Sequence, residues 1–319
     1  MKTTRRLLSV LLVLVLCLSC ALAAAEGALN IGIQLEQDDA MINNYSLLAV
    51  DPAAPFVDAD GNPVSDVKLN AAGAKAFIDW MLSPDTLDVI KNYGHEKYGE
   101  YLFYVKDNAP VSAAQIPAAT EESKLIRVST TTSVNDNGLL GELVPLFEAA
   151  YGYTVEVYSA GTGKAIANAK AGNADLLLVH SKSQEEAFVT DGVSMVEEGY
   201  EAERLTFMYN YFVLVGPKDD PAGCAKAGDV KAAFKLISDG KFPFVSRGDK
   251  SGTHTKELSL WDESLGITAE ADSVKDYPWY QYSNAGMGVC LTMANEMGAY
   301  LLSDKATFLT FQAADGVLD

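Results

Sequence analysis

The segment that decides the fold class is residues 125–133, Leu-Ile-Arg-Val-Ser-Thr-Thr-Thr-Ser. Its first five residues are typical of a strand, and hydroxyl-bearing residues follow where that strand ends. The apolar residues of a helical pattern come next, on one face, at Leu139, Leu140, Leu143, Phe147 and Ala150. The segment therefore predicts a strand that passes into a helix through a loop of hydroxyl groups.

The alternation of strand and helix continues to residue 215. Further strands are predicted at 153–158, 175–180 and 205–215, with helices after residue 163 and at 183–189. The order β-α-β-α-β predicts an α/β protein with a doubly wound sheet.

Ligands of such sheets bind beyond the carboxyl ends of the strands, next to helix N-termini. Two loops occupy that place, and their candidate anion-binding residues are Thr131, Thr132, Ser133, Thr162 and Gly163. Their hydroxyl and backbone N–H groups are neutral donors that suit an anion. Each loop taken alone also fits a plain turn with a Ser or Thr cap.

A third loop, residues 246–254, reads Ser-Arg-Gly-Asp-Lys-Ser-Gly-Thr-His. It predicts a tight turn that leads into a helix N-terminus, where free N–H groups and the helix dipole favour an anion. Arg247 adds a planar charged fork suited to a tetrahedral oxyanion, and Ser251, Gly252 and Thr253 add donors. An ordinary helix cap without a ligand is the alternative. The three loops together predict one oxyanion site.

The formal net charge of -19 at pH 7 argues against nucleic acid and anionic membranes as partners. Because the overall field repels an anion, capture must rely on short-range donors in a sheltered cleft. The carboxylates to watch beside such a site are Asp175 and Asp249. We expect Asp249 to turn away from the ligand and brace Arg247.

The histidines and cysteines give no metal or catalytic signature. His95, His180 and His254 are scattered, and no cysteine lies near one at a zinc-binding spacing. His180 is predicted at a strand end and His254 in a first helical turn, both without a nucleophile or carboxylate partner. Cys224 and Cys290 fit either a disulfide or two buried thiols.

Residues 1–25 resemble an export signal. Lys2, Arg5 and Arg6 precede an apolar run at 7–18, which is too short to span a bilayer, and small residues follow it. We therefore expect an exported protein, periplasmic or at the cell surface. A lipid anchor at Cys20 is the alternative reading of this segment.

Several segments resemble the tungstate-binding proteins of ABC-type oxyanion uptake systems. They occur in order as residues 130–133, 161–163, 174–180, 216–223, 246–254, 286–288 and 293–296. The resemblance implies a bilobed periplasmic-binding-protein-like fold, with two α/β lobes joined by hinge strands. It also implies a monomer that binds tungstate for a membrane permease and has no catalysis, cofactor or metal site. Lys250 departs from the pattern, since an Asp is expected there.

The resemblance also distributes the site between the lobes. The residues that it assigns to one lobe are Thr132, Ser133 and Thr162. Those that it assigns to the other lobe are Arg247, Ser251, Gly252 and Thr253. Hinge crossings are expected near residues 44–46 and 215–216.

Residues 43–52 and 74–84 resemble the C-terminal part of that family, and residues 102–104 resemble its usual end. Because these segments precede residue 125, the simplest interpretation is a circular permutation. The predicted parts are a first lobe of residues 43–105 and 125–216, a second lobe of residues 27–42 and 217–319, and a linker at 106–124 that joins the ancestral termini.

The permutation makes structural predictions. Residues 45–49 should form a strand of the first lobe, and residues 71–82 a helix packed on it. Residues 30–35 should form a strand of the second lobe near 307–311, and Ala28 should lie close to Asp319. The rival account makes residues 27–105 a separate small domain.

Three other functions fit the same sequence. A molybdate or phosphate receptor would share the fold, although a phosphate receptor gains from a buried carboxylate that accepts the proton of the ligand. An enzyme acting on a phosphorylated substrate would need a nucleophile beside a base, or a metal. An anion sensor would differ from a transport receptor in its partner alone.

Overall fold

The computed structural model describes residues 29–135, 137–314 and 316, so the expected export signal lies outside the described residues. The strands are β1 Ile31–Leu35, β2 Ile42–Val50, β3 Tyr104–Val105, β4 Leu125–Thr131, β5 Thr154–Ala160, β6 Leu176–Val179, β7 Ser194–Met195, β8 Leu205–Pro217, β9 Phe244–Ser246, β10 Tyr280–Tyr282 and β11 Leu301–Asp304. The helices are α1 Ala71–Met81, α2 Pro84–Asn92, α3 His95–Tyr98, α4 Thr132–Asn135, α5 Leu139–Tyr151, α6 Thr162–Lys170, α7 Lys182–Thr190, α8 Val230–Gly240, α9 Gly252–Leu258, α10 Met287–Met297 and α11 Lys305–Ala313.

The first lobe is built on the strand order β8-β2-β6-β4-β5. β4 runs parallel to β5 and β6, whereas β2 runs antiparallel to β6 and β8. Apolar side chains fill a core on each face of this sheet, around Phe147 on one side and Phe188 on the other. The predicted α/β class is confirmed. The sheet is mixed, because β2 lies between β6 and β8 and runs antiparallel to both.

The second lobe extends the same sheet at the far end of β8. There β8 pairs with β1 and with β11, both antiparallel. The parallel pair β9 and β10 continues from β11 through a bridge between Phe244 and Tyr300. This lobe also has two cores, one around Trp261 and one around Phe308.

The long strands β2 and β8 carry the chain between the lobes. Met41 lies in the second-lobe core and Tyr45 in the first-lobe core, so the crossing on β2 is close to the expected place. On β8 the change occurs between Met208 and Phe212. The expected crossing at 215–216 is therefore wrong, because β8 changes partner where β2 begins, with Ile42 opposite Tyr211.

The expected strands and helices appear with small shifts at their ends. Helix α5 buries Leu139, Leu140, Leu143 and Phe147 as predicted. Ala150 is exposed, contrary to the predicted apolar face. The ring of Tyr151, with its centroid 5.5 Å from that of Phe147, covers this end of the helix instead.

The segment before residue 106 has no separate core. Tyr45, Phe77 and Phe103 share one core with Phe147 and Phe207, which contradicts the rival account of a small independent domain. β2 and α1 are the strand and helix predicted at 45–49 and 71–82.

The segment at 106–124 has no helix or strand and buries Ser112 alone. β1 lies on β8 of the second lobe, and its neighbour Leu29 packs in one core with Phe308 and Phe311. Leu29 approaches Gly316 so closely that a Cβ on Gly316 would lie 2.8 Å from Leu29 Cδ2. Ala28 and Asp319 lie outside the described residues, so the permutation itself stays a prediction.

Candidate anion-binding site

Loops from both lobes meet where β4, β5 and β9 end. Arg247 Nη1 donates to Thr132 Oγ1 across the cleft at 3.5 Å. A Cβ on Gly161 would lie 3.2 Å from Ser251 Cβ, so the second and third loops also touch. The structure thus brings the three predicted loops together.

Arg247 is a buried cation of this cleft. It follows β9, is 4% exposed, and donates from Nη2 to Asp249 Oδ2 at 2.5 Å. Asp249 Oδ1 accepts the N–H of Ser251 at 3.2 Å. The expectation that Asp249 braces Arg247 is confirmed, and both of its carboxylate oxygens are engaged.

Four buried polar atoms of these loops have no hydrogen-bond partner among the described residues. They are Thr162 Oγ1, Thr253 Oγ1, Arg247 Nε and His254 Nε2. A buried donor without a partner costs roughly 1–3 kcal/mol, so native structures rarely leave several in one place. A small anion held between the lobes would accept from the two threonine hydroxyls and the guanidinium.

The other candidate residues have mixed roles. Ser251 Oγ accepts from the backbone N–H of His254 and so caps α9, as the alternative interpretation held. Thr131 Oγ1 lies 3.1 Å from Ser133 Oγ within the first loop. Gly163 lies in the first turn of α6, and a Cβ there would lie 3.4 Å from Lys250 O of the other lobe.

Two charged residues that the sequence marked lie off the cleft. Asp175 precedes β6 and binds Arg127, with Arg127 Nη2 at 2.7 Å from Asp175 Oδ1. Lys250 directs its amine to Glu270 at 2.9 Å, and both side chains are exposed. Of the two carboxylates to watch, Asp249 is therefore the one beside the predicted donors.

His180 occupies a central position that the sequence did not reveal. Its Nε2 lies 3.2 Å from Ser133 Oγ and its Nδ1 lies 2.8 Å from Asn43 Oδ1. The prediction that His180 has no nucleophile partner is wrong, because β4 pairs with β6 and brings the Ser133 hydroxyl to the ring, while β2 on the other side of β6 brings Asn43. Burial, together with the charge of Arg247, lowers the pKa of His180 to about 3.

His254 and the two cysteines take structural places. His254 is fully buried in the first turn of α9, as predicted, and its Nδ1 accepts the N–H of Lys250 at 3.0 Å. Burial lowers the pKa of His254.

Cys224 and Cys290 are free buried thiols, so the disulfide alternative is wrong. Within the described ranges, no group of three His, Cys, Asp or Glu side chains could hold a metal ion.

An open cavity of about 390 Å³ adjoins this site between the lobes. Its wall includes Asn43, His180 and Gly252, and Lys182, Glu186 and Lys256 also line it. Gly252 is required here, because a Cβ at that position would lie 2.6 Å from Cε1 of His180.

Among the described residues, none of the helices has the length and apolar character that a membrane span needs.

Comparisons with known proteins agree with this architecture. The model of the PBP superfamily domain matches residues 116–319. The tungstate-binding protein TupA of Peptoclostridium acidaminophilum is 44% identical over 200 residues, which are 62% of this chain and 65% of that protein. A putative ABC transporter anion-binding protein of Haloferax volcanii is 42% identical over 187 residues, which are 59% of this chain and 51% of that protein. The matched segments thus span less than two thirds of these relatives.

A solved structure gives the same picture. The tungstate ABC transporter structure from Geobacter sulfurreducens matches with a TM-score of 0.50 and 43% identity. The match covers 60% of this chain and 77% of that chain.

Proposed function

Because this chain belongs to the PBP superfamily, we propose that it is an extracytoplasmic solute-binding protein for tungstate. It captures the oxyanion between its two lobes and delivers it to the permease of an ABC transporter. The named relatives bind tungstate or another anion, and none of the proposed steps is catalytic. The proposed site comprises Thr131, Thr132, Ser133, Thr162, Gly163, Arg247, Ser251, Gly252 and Thr253.

The observation that carries the proposal is the set of unpartnered donors at the meeting of the loops. Thr162 Oγ1 comes from the first lobe, and Thr253 Oγ1 and Arg247 Nε come from the second. Donors from two bodies converge on one ligand only when that ligand lies between them. An oxyanion has acceptor oxygens on every side and suits this arrangement.

The carboxylates favour an oxyanion that carries no proton. Both oxygens of Asp249 are engaged, by Arg247 and by Ser251 N–H, and Asp175 is bound to Arg127. Asp175 is thus filled by its own partners, and the proton of phosphate would have to share Asp249 with Arg247 and Ser251. Molybdate shares the charge and shape of tungstate and remains the alternative ligand.

An enzyme is the weaker candidate. Ser133, His180 and Asn43 do form a hydrogen-bonded chain that resembles a nucleophile, a base and an orienting residue. A general base works best when its pKa lies near the working pH. In the empty cleft the pKa of about 3 makes His180 a poor base, and its orienting partner is a neutral amide. These properties favour binding over catalysis.

Calorimetry with tungstate, molybdate, sulfate and phosphate tests the proposal. We expect tight binding of tungstate, with sulfate and phosphate much weaker. Sub-micromolar phosphate binding with no tungstate heat would overturn it. Small-angle scattering should also give a smaller radius of gyration with tungstate, and an unchanged shape at saturation would contradict capture by lobe closure.

The circular permutation is part of this proposal. Two observations support it. The family match begins at residue 116, and residues between 45 and 103, which lie before that match, nevertheless belong to the first-lobe core. A rearranged chain in which residues 119–319 precede residues 28–105, joined by a short Gly/Ser linker, should fold and bind tungstate like the natural chain. Failure of that chain to fold would argue that the present order of segments is essential.

A further inference from the structure

The ring of His180 connects the two lobes beneath the first loop. It follows β6, is 7% exposed, and its centroid lies 5.1 Å from that of Tyr45. From the second lobe Gly252 packs directly on the ring. His180 is therefore fixed between Asn43 and Ser133 with little freedom to turn.

Hydrogen bonding determines which nitrogen of the neutral ring carries the proton. The Asn43 amide donates from Nδ2 to Tyr45 OH at 2.9 Å and to Asn210 Oδ1 at 2.8 Å. Its Oδ1 can only accept, so His180 Nδ1 is the donor in the 2.8 Å contact. Nε2 is then the bare nitrogen, and it must accept from Ser133 Oγ.

In this arrangement the single hydroxyl hydrogen of Ser133 forms the hydrogen bond to His180 Nε2. While His180 is neutral, Ser133 donates to the ring and cannot donate to an anion. When Nε2 gains a proton, the direction of the bond reverses, and the hydroxyl hydrogen becomes available. The neighbouring hydroxyls of Tyr45 and Thr131 lie 3.2 and 3.1 Å from Ser133 Oγ and can adjust to either state.

We propose that anion binding takes up one proton on His180, which turns Ser133 into a donor to the bound oxyanion. This inference rests on the proposed function of the site. The proton comes from solvent and binds Nε2, no covalent bond between heavy atoms forms or breaks, and Nδ1 keeps its proton for Asn43. His180 acts through Ser133 and is a positioning residue.

The charges around the ring agree with this coupling. Tyr45 contacts the ring, and Arg247 is the charged group that acts on it. Lys182, Glu186 and Lys256 line the same cavity, and Asp304 acts on Tyr45. In the empty cleft, burial and Arg247 keep the pKa of His180 far below its usual range. An anion beside Arg247 offsets that positive charge and raises the pKa. The open cavity gives the proton a path from solvent to the ring.

The sign of the effect follows from linkage. If the complex holds more protons than the free protein, affinity rises as the pH falls, by at most tenfold per pH unit for one proton. The window lies between the low pKa of His180 in the free protein and its higher pKa in the complex. We expect tungstate to bind about tenfold more tightly at pH 6 than at pH 8.

Calorimetric titration with sodium tungstate at pH 6, in two buffers of different ionisation enthalpy, measures the proton uptake directly. We expect the natural protein to take up more than half a proton per tungstate and His180→Gln to take up none. His95→Gln is the matched control, because His95 lies on the surface and stacks on Tyr101; it should behave like the natural protein. Tungstate binding without proton uptake would overturn the inference and leave the proposed function intact, whereas absence of tungstate binding would overturn both.

A second measurement does not depend on a variant that folds. Nitrogen NMR of the histidine-labelled natural protein at pH 6 should show His180 as a neutral ring without ligand and as an imidazolium with tungstate. A neutral His180 ring in the saturated complex would contradict the proposal.

Discussion

The two lobes bring different chemistry to the same cleft. The first lobe offers neutral hydroxyls at strand ends, among them Thr162 and Ser133, whereas the second offers the guanidinium of Arg247 with its brace Asp249. A buried charge attracts an anion over several ångströms, while a hydroxyl acts only at hydrogen-bond distance. The difference suggests that the second lobe supplies most of the affinity and that the first lobe checks the shape and protonation of the ligand.

Removal of the cation gives the largest expected effect. Arg247→Ala should weaken tungstate binding between about tenfold and a hundredfold, because a charge-assisted hydrogen bond contributes roughly 1.5–3 kcal/mol. It also leaves Asp249 without its partner in the cleft, where its charge repels the anion. Calorimetry measures the loss.

Arg247→Lys is the matched variant, since it keeps the charge and loses the fork. It should recover part of the affinity. If Arg247→Ala bound tungstate as tightly as the natural protein, the third loop would not belong to the site. The second lobe would then not supply most of the affinity.

The next effect tests the contact between the lobes. Gly252→Ala should weaken tungstate binding about tenfold, because the added Cβ meets the His180 ring at 2.6 Å, and such overpacking costs roughly 1–3 kcal/mol. Gly286→Ala is the control, since it also lies at a helix start of the second lobe and its Cβ would have no neighbour within 4 Å. Tungstate affinity equal in both variants would show that the loops do not close in this way.

A smaller effect separates hydroxyls that await a ligand from those that hold the fold. Thr162→Val and Thr253→Val should each weaken tungstate binding about fivefold, since one neutral hydrogen bond is worth about 1 kcal/mol. The unfolding temperature without ligand should not fall, because the hydroxyls have no partner among the described residues.

Thr130→Val is the matched control with the opposite outcome. Its hydroxyl donates to Leu178 O at 2.7 Å inside the first lobe. This variant should lower the unfolding temperature and leave tungstate affinity unchanged. A drop in stability for Thr162→Val with no change in affinity would assign that hydroxyl to the fold.

The smallest effect concerns the second cation of the third loop. Lys250→Ala should change tungstate affinity less than about twofold, because exposed charges are screened by solvent and salt. Its amine is engaged by Glu270 on the surface. A loss comparable with that of Arg247→Ala would show that the site extends to the surface of the second lobe.

Much of this arrangement follows from local sequence patterns. β4, β6 and α6 were predicted because apolar runs and helical periodicity are local signals, and their loops carry hydroxyls in the order of the chain. The third loop was predicted from one guanidinium beside a capping sequence. The position of Ala150 and the crossing on β8 were not predicted, because burial and strand pairing depend on neighbours that are distant in sequence.

The sequence by itself determined which donors exist and which ends of strands present them, since these depend on residue type and on periods of two to four residues. Only the tertiary structure decided that Asn43, which lies 137 positions before His180 in the sequence, fixes the tautomer of that ring. It also decided that Arg247 lies across the cleft from Thr132. Asn43 reaches the ring because β2 inserts between β6 and β8, and Arg247 reaches Thr132 because the ends of β9 and β4 meet at the cleft. Pairing between strands far apart in the chain sets the protonation of a side chain that no local pattern can reveal.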